Sequence, residues 1–228
     1  MGKNDNGNNG RTELVFVVDR SGSMGGLESD TIGGFNSMLS KQRTIAGECR
    51  VTTLLFDHRI ETLHNHLDIR EVNDLTSRDY WVRGSTALLD AIGLAIDRMI
   101  VTQRHTAAAY RAQHVLFAII TDGYENASRR YSLHQIKQMI TYERERYHWE
   151  FVFLGANIDA EQTAGDFGIS PRCATDFHAD GQGIKASFEA VACAATAVRG
   201  GADLDDLSAP DFLGGVRDDY RSRRRMKR

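Results

Sequence analysis

Leu14-Val-Phe-Val-Val18 runs without a break into Asp19-Arg-Ser-Gly-Ser23. Five apolar residues in a row suit a strand covered on both faces, the situation of strands in a parallel sheet. The abrupt change to Asp, Ser and Gly marks a turn where that strand ends. A second stretch has the same grammar: Val115-Leu-Phe-Ala-Ile-Ile120 followed by Thr121-Asp-Gly123. Between them, Gly84-Ser-Thr86 leads into a helical pattern over residues 86–101. Leu88, Leu89, Ile92, Ala95, Ile96, Met99 and Ile100 share one wide face there.

Working outward, residues 30–45 carry Ile32, Phe35, Met38 and Leu39 at helical spacing. Residues 50–56 and 60–67 mix apolar and polar positions around Asp57-His-Arg59, which predicts an antiparallel hairpin at a sheet edge. A helix over 131–147, a strand over 151–154, a strand near 172–175 and a helix over 184–199 follow. A short helix is expected to open at Asp159, with Gln162 reaching back to it, and to stop at Gly168. The order β-α-β-β-α-β-α-β-α-β-α predicts an α/β, doubly wound, Rossmann-like fold. Its sheet is six-stranded and mostly parallel with one antiparallel edge strand, and helices lie on both faces. The folded domain is expected over residues 12–200, between a disordered polar tail at 1–11 and a disordered basic tail at 201–228.

The totals agree with one soluble domain: 228 residues, 41% hydrophobic and 26% charged. A net charge of −3 gives no global attraction to nucleic acid or anionic membrane, although the basic final stretch leaves the remainder more acidic. Three cysteines, Cys49, Cys173 and Cys193, make a poor disulfide framework and suit a reducing compartment. No apolar run approaches a membrane span, and the Asn/Gly-rich start has no signal-peptide core. The expected location is cytoplasmic, with no membrane association.

In a doubly wound sheet, ligands collect beyond the carboxyl ends of the strands where strand order reverses. If the strands at 14–18 and 115–120 are the neighbours at that reversal, Asp19 and Asp122 face each other, and Thr86 enters from the loop before its helix. Asp19, Ser21, Ser23, Thr86 and Asp122 offer oxygen only, which suits a hard cation such as Mg²⁺, with Mn²⁺ or Ca²⁺ served by the same donors. Two carboxylates about 5 Å apart repel by roughly 3 kcal/mol at an effective dielectric near 20, and a divalent ion between them reverses the sign.

Asp19-x-Ser21-x-Ser23 with Thr86 and Asp122 resembles the metal-ion-dependent adhesion site of von Willebrand factor A-type (vWA) domains, in the stand-alone form found in prokaryotes and phages. Asp19-Arg-Ser-Gly-Ser-Met24, Gly84-Ser-Thr-Ala-Leu-Leu-Asp-Ala-Ile92 and Thr121-Asp-Gly123 carry the likeness, over about residues 12–200. The resemblance implies that Ser21, Ser23 and Thr86 touch the ion directly, and that Asp19 and Asp122 act directly or through water. It further implies a protein partner whose Glu or Asp completes the coordination, and a binding role with no catalysis.

Two other classes compete. A Mg²⁺-dependent phosphohydrolase of the haloacid dehalogenase type would carry a second Asp two residues after the first, as acid/base. This chain has Ser21 there, and no phosphate-cradling glycine motif. A nucleic-acid-associated protein would act through the tail, where Arg217, Arg221, Arg223, Arg224, Arg225, Lys227 and Arg228 stand against Asp218 and Asp219. His64 and His66 lack an evident third ligand and read as solvated edge residues. Asp90 is explained by the dipole of its helix, and Gly33-Gly34 by close packing on the sheet. Tyr124, Glu125 and Asn126 read equally well as rim or as ordinary loop.

Overall fold

A computed structural model describes residues 10–226. Six strands form one sheet: β1 (Thr12–Asp19), β2 (Cys49–Phe56), β3 (Ile60–Asp68), β4 (His114–Thr121), β5 (Glu150–Gly155) and β6 (Ala174–Asp176). Their spatial order is β3-β2-β1-β4-β5-β6, and only β3 is antiparallel to its neighbour. Every residue of β1 and β5 is buried, as expected for strands covered on both faces. Each large apolar side chain of β1 gains about 1.5–3 kcal/mol on burial, most of it offset by the entropy of ordering the chain.

The helices are α1 (Glu28–Arg43), α2 (Leu88–His105), α3 (Leu133–Tyr147), α4 (Ala160–Phe167), α5 (Gly181–Arg199) and α6 (Gly214–Met226). Helices α1 and α5 pack together on one face, while α2, α3 and α4 follow one another on the other. Phe35 of α1 bridges the first layer, lying edge-on to Phe16 of β1 and to Phe188 of α5. Gly34 allows that approach, since a Cβ there would stand 2.4 Å from the Phe188 ring, whereas a Cβ on Gly33 would meet nothing. Close packing therefore explains one glycine of the pair, but against α5 and not against the sheet.

Local chemistry sets the boundaries. Ser132 and Gln135 form a reciprocal capping box at the start of α3. Asp159 accepts the Gln162 backbone N–H at the start of α4, but the Gln162 side chain turns forward to Asp166 instead of reaching back. Gly168 ends α4 in the left-handed conformation, φ 83°.

The C-terminal stretch departs from expectation. Residues 201–224 contain buried Leu204, Phe212, Leu213 and Val216, and α6 packs on α5 and β6. One turn of apolar residues is too short to register as periodicity against so basic a composition. Residues 201–224 are packed on the domain. Arg217 donates to the carbonyls of Pro171, Arg172 and Ala174 beside the three-residue edge strand β6, covering an edge that would otherwise be open. Arg223 pairs with Asp180 and Asp219. At the other terminus, Arg11 pairs with Glu48 and donates to the Ala109 carbonyl, while residues 1–9 of the expected tail, and 227–228, lie outside the described residues.

The histidines of β3 are not simply solvated. Register shifts between β2 and β3 separate them. His64 is buried with its Nδ1 3.0 Å from Thr53 Oγ1, and His66 takes a positive φ of 55° with its Nδ1 2.6 Å from Glu13 Oε1. All three cysteines are free. Among the described residues no helix is long and apolar enough to cross a membrane.

Candidate metal centre

Strand order reverses between β1 and β4: the chain proceeds from β1 toward β2 and β3 on one side, and from β4 toward β5 and β6 on the other. The crevice predicted by sheet topology therefore lies beyond Asp19 and Thr121. Asp19 is fully buried and held from two sides. Its Oδ1 accepts the Ser21 backbone N–H at 2.6 Å, and its Oδ2 accepts the Thr121 hydroxyl at 2.6 Å. Ser21 Oγ and Ser23 Oγ are 3.1 Å apart. Asp122, the first residue past β4, is also buried, and its Oδ1 accepts from the Asn157 side-chain amide.

Thr86 reaches this group from a loop stitched to both neighbours. Its N–H donates to Asn126 Oδ1 at 2.9 Å, and its carbonyl accepts the Asn126 N–H at 3.0 Å. Gly123, with φ 153°, lies beneath. A Cβ there would stand 3.5 Å from Ser23 Oγ and 3.9 Å from Thr86 Oγ1, so both hydroxyls border the same small space. The five residues picked from sequence are thus gathered at one end of two adjacent strands.

Burial drives the electrostatics. It raises the Asp19 carboxyl above the ordinary aspartate range, against the pull of hydrogen bonds from Thr121 and Ser21. Asp122 is raised by burial too, and further by the charge of Asp19, with Asn157 pulling the other way. Two buried carboxylates that disfavour each other's charge are what a divalent cation would relieve. Among the described residues no three His, Cys, Asp or Glu side chains gather as a metal cluster, so an ion at this place would rest on hydroxyls and water as well as the two carboxylates. That donor chemistry fits a hard cation.

Sequence reasoning missed a second ring of residues that fixes the loops. Asp57, wholly buried just past β2, accepts Arg83 Nε at 2.5 Å and the Arg59 N–H at 2.6 Å, while its carbonyl accepts the Ala87 N–H at 2.9 Å. Arg20, equally buried, donates to Glu61 Oε2 at 2.7 Å. Its Nε stands 3.5 Å from Asp57 Oδ2, near enough for charge attraction but not aligned for a hydrogen bond. Both guanidiniums lie over Trp81, Arg83 at 4.2 Å and Arg20 at 5.3 Å from the ring centroid. Backbone bonds from Arg83 N–H to the Arg20 carbonyl and from Gly22 N–H to the Gly84 carbonyl join the loops. The Tyr80 hydroxyl donates to the Asp19 carbonyl at 2.6 Å. Gly84 needs its φ of +69° and its missing side chain, because a Cβ would meet His58 Nδ1 at 2.1 Å.

Glu125 is also structural, accepting from Leu89, Ala127 and Ser128. Asp90 does more than face its helix dipole, since it takes the backbone N–H groups of Arg129, Arg130 and Tyr131. The one available signal for Asp57 and Asn157 was position: each follows a strand of the parallel sheet at the same end as Asp19.

No family model and no curated protein matches the chain. Solved structures do. Proximal thread matrix protein 1 from the mussel byssus superposes with a TM-score of 0.54 at 14% identity, over 80% of this chain and 45% of that one. A structure of the same mussel protein with a zinc-occupied MIDAS motif, the metal-ion-dependent adhesion site, gives 0.53 at 13% identity over the same shares. The von Willebrand factor type A protein from Catenulispora acidiphila gives 0.53 at 10% identity, over 80% of this chain and 42% of that one. This chain spans less than half the length of these structures. At such identities the likeness concerns architecture, and the architecture is a vWA-like α/β fold.

Proposed function

We propose that this protein is a divalent-cation-dependent protein-binding module of the vWA type, with Asp19, Ser21, Ser23, Thr86 and Asp122 as the ion's protein ligands. The observation that carries the reading is the meeting of two buried, mutually repelling carboxylates with three hydroxyls beyond the switch point of β1 and β4. Mg²⁺ is the expected ion, with Mn²⁺ or Ca²⁺ as substitutes. A cation held mainly by neutral hydroxyls and two carboxylates keeps affinity for a further anionic oxygen, which an Asp or Glu of a partner would supply. The zinc-occupied MIDAS motif of the mussel matrix protein, on a similar fold, supports the reading of a divalent cation.

Binding, not catalysis, is the proposed outcome. The phosphohydrolase alternative lacks an acid/base at position 21. The nucleic-acid alternative is weakened because Arg217 and Arg223 are engaged inside the fold. Affinity capture with the intact protein in Mg²⁺ tests the reading. Capture of a partner that is lost both with chelator and in Asp19→Ala is expected; capture indifferent to both refutes it.

A further inference from the structure

Beside the metal loops lies a cleft of about 590 Å³, bordered by His58, Arg59, Ser85, Asn126, Ser128 and Arg129. It adjoins the metal centre directly: Ser85 precedes Thr86, and Asn126 holds Thr86 by two hydrogen bonds. Its charge is unbalanced. Arg59 and Arg129 are exposed and have no ion-pair partner among the described residues. Asp90 is the one carboxylate on the wall, and both its oxygens are occupied by backbone N–H groups of the 129–131 loop.

The two free arginines also stand on fixed bases. The Arg59 N–H is bound by buried Asp57 at 2.6 Å, and the Arg129 N–H by Asp90 at 2.9 Å. A guanidinium on a rigid base, with no internal partner, is prepared for bidentate pairing with a carboxylate.

We propose that this cleft is a second carboxylate subsite and that the partner presents an acidic peptide segment, one Asp or Glu on the ion and another between Arg59 and Arg129. The assignment rests on the metal-dependent reading above. Ser85 and Thr86 are consecutive, so a segment leaving the ion enters the cleft within roughly two to four residues at about 3.3 Å per residue. Joining two weak contacts on one segment raises affinity through effective concentration.

Fluorescence anisotropy with the full chain in Mn²⁺ provides the test. The probes are a labelled Gly/Ser peptide bearing one Glu, and the same peptide bearing a run of Glu. The run is expected to bind about tenfold more tightly. Arg59→Gln with Arg129→Gln erases that gain and leaves Mn²⁺ binding, read by electron paramagnetic resonance, unchanged. Arg146→Gln with Arg221→Gln, which removes equal charge elsewhere, keeps the gain. A gain that survives the cleft variant, or is lost equally in the distant one, overturns the subsite while normal Mn²⁺ binding leaves the metal reading intact. Failure of the wild type to bind Mn²⁺ overturns both. Displacement of the acidic peptide by oligothymidylate at lower concentration than by its unlabelled self makes the cleft a phosphate site and overturns the acidic-peptide assignment.

Discussion

The two ends of β1 each bury a carboxylate, and the structure treats them differently. Near the amino end, Glu13 is pushed up to about 8 by burial, with Arg50 only partly opposing. Its Oε2 has no hydrogen-bond partner, and its Oε1 sits 2.6 Å from His66, whose own proton affinity is lowered by burial and by Arg50. Both shifts place one proton on the carboxyl, leaving a neutral pair. At the carboxyl end, Asp19 is raised by burial as well, yet donors from Ser21 and Thr121 surround it, and hydroxyls and a second carboxylate stand close by. Similar burial on one strand thus raises both carboxyls, one with no hydrogen-bond donor to oppose the rise and the other against donors from Ser21 and Thr121. The difference lies in the donors, one from the loop after β1 and one from the end of β4.

Four changes would break or sharpen that contrast. Asp57→Ala has the largest expected effect, because it leaves the buried Arg20 with only the half-exposed Glu61 and the partly buried Arg83 with no ion pair; a loss of about 3 kcal/mol in urea unfolding is expected. Stability unchanged within error would remove Asp57 from the support of the carboxyl end.

Glu13 makes a pH prediction. Its folded-state affinity for protons exceeds that of the unfolded chain, so the folded state holds the extra proton between about 4.5 and about 8. Its stabilising share is full below that window and is lost as pH rises through it, with a slope of at most about 1.4 kcal/mol per pH unit. Unfolding curves of Glu13→Gln across pH 5–8 are expected to be flatter than wild type; parallel curves would end the contrast.

Asp19→Ala concerns the metal. Wild-type protein in Mg²⁺ at a hundred times its Kd should gain about 2.7 kcal/mol against unfolding, and the variant nothing. An equal gain in the variant would locate the ion elsewhere. The smallest expected effect belongs to Thr121→Val, which removes one hydrogen bond to a charged oxygen. It should weaken Mn²⁺ affinity by roughly tenfold, in line with about 1.5 kcal/mol for such a bond, and leave the Glu13 pH window untouched.

Much of the fold could be read because doubly buried strands are written as apolar runs, and Leu14–Val18 and Val115–Ile120 have no other economical explanation. The five site positions were readable for a related reason. Each lies within a few residues of an element boundary that the apolar pattern already marks. Asp57 and Asn157 lie at such boundaries too, but lacked a spacing to single them out. Glu13 stands between Thr12 and the apolar run, a position that gives no hint of its depth. α6 was hidden by its own composition, since its arginines look like a solvated run until the partners Asp180, Asp219 and the β6-side carbonyls are in view.

Sequence alone determined the order of elements and which oxygen-bearing residues follow the two apolar strands; that β1 and β4 lie side by side where strand order reverses is a condition the structure met. The first two follow from local rules of periodicity and strand burial, which act over a few residues. Tertiary structure alone decided which charges are paired, which are buried neutral, and which remain free at the cleft. Those outcomes depend on groups far apart in the chain, such as Arg20 with Glu61 or Thr121 with Asp19, and the energy of a charge is set by neighbours that packing, not adjacency, supplies.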